Sequence, residues 1–284
     1  MRWEDDRKSE NVEDRRGVGV SRGVIGGGIG TIIIVLAALL FGVDPSTLLN
    51  LFTTTNVSAP SSVTHQRPAD EDRLADFVSV VLADTEDTWH ELFRRGGKDY
   101  LEPKLVLFSQ EVESACGFAQ SAMGPFYCPR DQKVYIDLQF YKDLKDRFHA
   151  PGEFAQAYVI AHEIGHHVQN LMGISDKIQR LQERAGKVQA NKLSVKLELQ
   201  ADCLAGIWGY HANRTKKILE AGDVEAALRA ASSIGDDRLQ KQAQGYVVPD
   251  SFTHGSSEQR VRWFKRGIET GDLAQCNTFN VNSP

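Results

Sequence analysis

Several features that would assign a class at once are scarce or missing. Four cysteines stand in 284 residues, none in a C-x-x-C pair, which argues against a structural zinc knuckle. Basic residues are not in excess: 33 Lys and Arg against 38 Asp and Glu give a net charge of −5, so no global positive field advertises nucleic acid. Long apolar runs are limited to one, and no internal repeat is visible. What remains, 41% hydrophobic and 25% charged residues, is ordinary globular composition; it excludes a wholly disordered, collagen-like or many-spanning membrane chain. The length suits one large domain or two small ones, with a buried core.

The one apolar run lies near the N-terminus. Residues 23–43 contain no ionisable side chain, and Ile32 to Phe41 reads IIIVLAALLF. At 1.5 Å per residue this stretch spans about 31 Å, the thickness of a bilayer's hydrocarbon. It is longer than a signal-peptide core and lacks a small-x-small cleavage junction. The expectation is an uncleaved transmembrane anchor that contacts the lipid bilayer. Arg2, Arg7, Lys8, Arg15, Arg16 and Arg22 precede it and no Lys or Arg lies between Asp44 and Gln66, so the positive-inside rule predicts a cytoplasmic tail over 1–22 and an extracytoplasmic remainder. Gly26 and Gly30 form a G-x-x-x-G that would let two such helices approach as a homodimer.

Residues 44–69, rich in Ser, Thr and Pro, read as a linker, followed by one folded domain over 70–279 and a short tail over 280–284. Cys116, Cys128, Cys203 and Cys276 are an even set in a domain expected outside the cytoplasm, which suggests two disulfides over buried free thiols. Of three connectivities, the short loop favours Cys116 with Cys128, leaving Cys203 with Cys276; sequence alone does not decide. Apolar spacing predicts a first long helix through Leu74, Phe77, Val81, Trp89 and Phe93, ended by Gly96-Gly97. Its acids, Asp84, Glu86, Asp87 and Glu91, read as a solvated face. Alternation over Val134–Tyr141 predicts a strand. Further helices fit Glu153–Met172, Asp176–Ala190, Val195–His211, Val224–Ser233 and Glu258–Thr270, the last opened by Ser256 with Gln259. The fold class is therefore α+β, mainly helical with a small sheet.

The chemistry concentrates on two of these helices. His162-Glu163-Ile164-Gly165-His166 places two imidazoles on one helix face at i and i+4, with a carboxylate beside them to handle water. A catalytic zinc needs a third protein ligand and one open position. Thirty-two residues after His166, LELQADCLAG carries Glu198 and Asp202, again at i and i+4. Glu198 completes a His, His, Glu set for one Zn2+ ion, and Asp202 is placed to accept the free ring N–H of a ligand histidine.

His162, Glu163 and His166 with Glu198, Ala201 and Asp202 resemble the H-E-x-x-H and E-x-x-A-D elements of gluzincin metallopeptidases. SACGFAQSAMGPFYCP, VYIDL, AYVIAHEIGHHVQNL, LELQADCLAG and DDRLQKQAQGYVVPDSFTHGSSEQRVRWF together are similar to the bacterial putative neutral zinc metallopeptidase family, over about residues 70 to 279. The resemblance implies a zincin-like domain and a zinc-dependent peptidase behind a membrane anchor. Thr253-His254-Gly255 with Arg260 is similar to a T-H-P-x-x-x-x-R element of some membrane-associated gluzincins, with glycine in place of proline. Because such a mechanism needs a donor to the oxyanion besides zinc, His254 is the candidate donor, with Tyr246 and His211 in reserve; Arg260 reads as structural or ion-pairing.

His167 follows the second ligand but points about 140° around the helix from His162, which assigns it to packing or surface. The strand at Val134–Tyr141 is a candidate to pair with substrate main chain at a cleft edge, or to serve the core alone. The function expected is hydrolysis of peptide or protein substrates, with Glu163 as general base. Two other readings stand beside it: a non-proteolytic zinc scaffold or chaperone-like domain, and a zinc amidase or deacylase acting on cell-wall peptides.

Overall fold

The computed structural model describes residues 1–17, 69–120 and 124–281. Among them, β1 (Val12–Asp14) precedes a long helix α1 (Ala69–Arg95), and five short strands follow: β2 (Lys104–Phe108), β3 (Glu111–Ser114), β4 (Gly117–Gln120), β5 (Phe126–Cys128) and β6 (Lys133–Asp137). The rest is helical: α2 (Gln139–Asp146), α3 (Glu153–Leu171), α4 (Ile174–Gln182), α5 (Lys187–Lys216), α6 (Asp223–Ser233), α7 (Asp236–Gln244) and α8 (Ser257–Thr270). The architecture is α+β and mainly helical, with a four-stranded sheet in the order β1-β2-β6-β5 and a separate β3–β4 hairpin. β1, β2 and β6 run parallel, and β5 pairs antiparallel with β6.

α3 is the central rod. Phe154, Tyr158, Ile160, Ile164 and Val168 are buried with little or no exposure, and a helix apolar around most of its circumference must be enclosed by others. α5 crosses it, and α8 packs on α5 where glycines remove the side chains between them. A Cβ on Gly267 would lie 2.0 Å from the carbonyl oxygen of Cys203, and one on Gly206 2.3 Å from that of Phe264. α8 opens with the expected capping box of Ser256 and Gln259. Cys203 is bonded to Cys276, tying α5 to the C-terminal turns, and Cys116 is bonded to Cys128, tying the hairpin to β5.

The strand expected over Val134–Tyr141 ends at Asp137. Oδ1 of Asp137 accepts the backbone N–H of Gln139 and helps turn the chain into α2, where Tyr141 and Leu144 are buried on one helical face. The single helix expected over Asp176–Ala190 is two, with α4 ending at Gln182 and α5 starting at Lys187.

The membrane reading is corrected. Among the described residues no helix is long and apolar enough to cross a membrane; the expected anchor over 23–43, with Gly26 and Gly30, lies outside the described residues. The placement of residues 1–22 in the cytoplasm and of the main domain outside fails on packing. Residues 1–16 belong to the same compact unit as the body from residue 69 onward. β1 pairs with Leu105–Leu107 of β2, and Met1 and Trp3 are buried in the common core. The amino group of Met1 lies 3.2 Å from Glu220 and 3.3 Å from Asp223. A single crossing between residues 17 and 69 would set these partners on opposite sides of about 30 Å of hydrocarbon, so the single-pass topology is withdrawn.

The acids of α1 explain how the N-terminal segment is held. Asp84 and Glu86 are not solvated but 2% and 1% exposed. Glu86 accepts from Arg7, Ser9 and Asn11, and Asp84 pairs with Lys216 at the end of α5. Buried carboxylates need such partners, and here the first sixteen residues supply those of Glu86.

Candidate active site

Two helices bring the site together because small residues let them close. A Cβ on Gly165 of α3 would sit 3.0 to 3.3 Å from the backbone and side chain of Ala201 on α5. One turn from that contact, Nε2 of His162 lies 3.1 Å from Oε2 of Glu198 and Nε2 of His166 3.3 Å from Oε1. One ligating atom from each of the three lies within 4.8 Å of the others. Ligands arranged tetrahedrally around zinc at about 2.0–2.1 Å would stand roughly 3.3 Å apart, so the spacing suits one such ion. The donor set, two imidazoles and a carboxylate, suits zinc as well.

The imidazoles are oriented from behind. Nδ1 of His162 lies 2.9 Å from Oδ1 of Asp202, and Nδ1 of His166 lies 2.9 Å from Oε1 of Gln169. Acceptors at both Nδ1 positions fix an N–H there and turn the Nε2 atoms toward Glu198, where a bound metal ion would take their lone pairs. Gln169 is itself held, its amide donating to the carbonyl of Leu197 and to Gln200.

Asp202 is fully buried and answered on every side. Arg260 donates through Nε and Nη2 at 2.9 Å each, and the Tyr158 hydroxyl donates at 2.5 Å. Burial would raise the Asp202 pKa, but the Arg260 guanidinium, with His162, holds it at about 2. Burial opposes charge on His162 too, yet Asp202 and Glu198 carry it up to about 9. Burial likewise opposes charge on Glu198, which is held well below the usual carboxylate range by His166 and His162. The surroundings therefore favour positive charge at the point where the three groups meet.

That point opens into a cleft of about 790 Å³. Glu163 lines it beside His162 and His166, as does His254. His254 is half-exposed, with Nδ1 3.2 Å from Oδ1 of Asp236. Oδ2 of Asp236 accepts the backbone N–H groups of Thr253, His254 and Gly255, so one carboxylate shapes the loop and orients the ring. The hydrogen bond to Asp236 is the main influence raising the His254 pKa. Gly255 adopts φ +94°, which proline's ring forbids; this accounts for glycine where the similar element has proline. The two reserve donors are not brought to the cleft: Tyr246 is exposed, and His211 bonds the carbonyl of Gly271 through Nε2.

The strand proposed for substrate pairing is not an edge. β6 is paired on both sides, by β2 and β5. Among the described residues β5 is the edge strand on the cleft side, and its Phe126 and Tyr127 line the cleft. Sequence reasoning also missed Gln169 and Asp236. The first carried a signal, since it lies three residues beyond His166 on the same helix; the second is eighteen residues from His254 in the chain and carried none.

Comparison with known proteins places the whole chain among relatives. The chain is 54% identical over 288 residues to "Uncharacterized protein YpfJ" of Escherichia coli (strain K12), covering 98% of this chain and 99% of that one. It is 39% identical over 259 residues to "Uncharacterized protein Rv2575" of Mycobacterium tuberculosis (strain ATCC 25618 / H37Rv), covering 86% and 85%. No solved structure matches it. Residues 1–279 match the family described as "Putative neutral zinc metallopeptidase", and the chain belongs to that family.

Proposed function

We propose that the protein is a zinc-dependent peptidase whose ion is held by His162, His166 and Glu198. When bound, zinc supplies acidity to a water molecule and polarises the scissile carbonyl. Glu163 takes the proton from the attacking water and delivers it to the departing amine nitrogen. His254, held by Asp236, donates a hydrogen bond to the carbonyl oxygen as negative charge develops there. Asp202 and Gln169 hold the two imidazoles with their Nε2 atoms inward. β5 offers its outer edge to an extended substrate main chain.

The observation that carries this reading is the convergence of the three donor atoms with Glu163 on the same cleft wall. A scaffold needs the three but has no use for the fourth. Glu163→Gln is expected to retain one zinc per chain and to lose turnover of a random-sequence peptide library, whereas Glu198→Ala is expected to lose the metal too. Wild-type cleavage rates in Glu163→Gln would end the base assignment. Cleavage of a cell-wall peptide digest in place of the library would favour an amidase.

A further inference from the structure

His167 is fully buried on α3 immediately after His166, and the site described above does not use it. Its ring nevertheless has two defined partners. Nε2 lies 2.6 Å from the carbonyl oxygen of Leu101. A carbonyl only accepts, so Nε2 carries the hydrogen and Nδ1 of the neutral ring is an acceptor. Nδ1 lies 3.0 Å from the hydroxyl of Tyr127, which therefore donates to it. Asn170, three residues further along α3, donates to the same hydroxyl at 3.1 Å. Tyr127 is the central residue of β5, and Cys128 beside it is bonded to Cys116 of the hairpin.

Successive residues of a helix point about 100° apart. His166 thus faces Glu198 while His167 faces the edge strand. The same turn of α3 fixes both the ligand cluster and the strand that flanks the cleft. The distance between them decides whether a main chain lying along β5 presents its carbonyl to the cluster, and reaction geometry is sensitive to displacements of about 1 Å. We propose that His167 is a positioning residue that locks β5, through Tyr127, in register with the ligand-bearing helix, and so sets the binding of extended peptide main chain. This rests on the peptidase reading above.

The test uses the full-length, zinc-loaded protein and an eight-residue fluorogenic peptide taken from the wild-type cleavage profile of a random library. His167→Leu removes the acceptor; His167→Asn keeps an oxygen close to the position of Nδ1. His167→Leu loses both ring hydrogen bonds, of which the one to Tyr127 holds β5; loss of that bond is expected to raise KM about three- to tenfold, with kcat within about twofold and the zinc content at one per chain. His167→Asn is expected to restore KM. Hydrogen exchange at the amides of Phe126–Cys128 is expected to quicken in the Leu variant and not in the Asn variant. Equal KM in Leu and Asn variants, unchanged exchange on β5, or loss of zinc from the Leu variant would overturn the proposal. A wild-type protein that binds zinc and cleaves no peptide, but whose β5 exchange still quickens in the Leu variant, would overturn the peptidase reading and leave the strand lock standing.

Discussion

Arg260→Met isolates what the guanidinium contributes to the site. Methionine keeps much of the buried stem's volume and removes the charge. Asp202 then loses two hydrogen bonds of 2.9 Å while remaining fully buried. Removing one partner of a buried ion pair costs about 3–5 kcal/mol; Asp202 loses its permanent counter-charge and keeps only Tyr158 and His162. For a body of this size each kcal/mol moves Tm by roughly 2–4 °C, so a fall of about 10 °C is expected. The measurement is urea unfolding of the zinc-free protein, since bound metal would add its own stabilisation. Asp202→Asn in the same chain removes the stranded charge and is expected to recover at least about 1–2 kcal/mol of the loss. Zinc affinity by chelator competition is expected to fall about 10- to 100-fold in the single variant, the usual effect of disturbing a partner behind a ligand histidine. A loss under about 1 kcal/mol, or a double variant no more stable than the single one, would refute the view that Arg260 is what makes a buried Asp202 tolerable.

Two further outcomes follow from particular contacts. Gly267→Ala sets a Cβ 2.0 Å from the carbonyl of Cys203 and must push α8 off α5; a loss of about 1–3 kcal/mol or more in urea unfolding is expected, against no more than about 1 kcal/mol for Gly186→Ala, where nothing lies within 4 Å and only the helix N-cap is altered. His254 is raised by its bond to Asp236, so its imidazolium persists above the ordinary value near 6.5 and is lost as pH climbs through the raised one. Activity that depends on that cation falls on the alkaline side, and Asp236→Asn is expected to move the fall to lower pH. A kcat/KM profile whose alkaline limb stays in place would remove the pair from the mechanism.

How much of this was legible in the sequence differs by residue. The i,i+4 spacings of His162 with His166 and of Glu198 with Asp202 are properties of one helix each, and spacing reports them directly. That the two helices touch depends on Gly165 meeting Ala201, a contact between side chains too small to leave a hydropathy signal. The alternation through Phe140 and Tyr141 suited a strand, but Tyr141 and Leu144 also share a helical face, and Asp137 decides between them by turning the chain. The membrane reading failed for a related reason. Hydropathy measures a run of residues and says nothing of what its flanks are bound to, and here the flank before it is clamped by Glu86 and by Glu220 and Asp223. Glu86 looked like solvent-facing charge because its partners Arg7, Ser9 and Asn11 stand 75 to 79 positions away.

The docking of residues 1–16 has a consequence for biosynthesis. These residues leave the ribosome well before α1, β2 and the start of α6 exist to receive them. At about 5–20 residues per second the interval before Asp223 is made is on the order of ten seconds or more. Until α1 and β2 are made, Trp3 has no core to enter and β1 has no strand to pair with; the amino group of Met1 waits longest, for Glu220 and Asp223. The segment translated first thus finds its full set of partners only when most of the chain has been made.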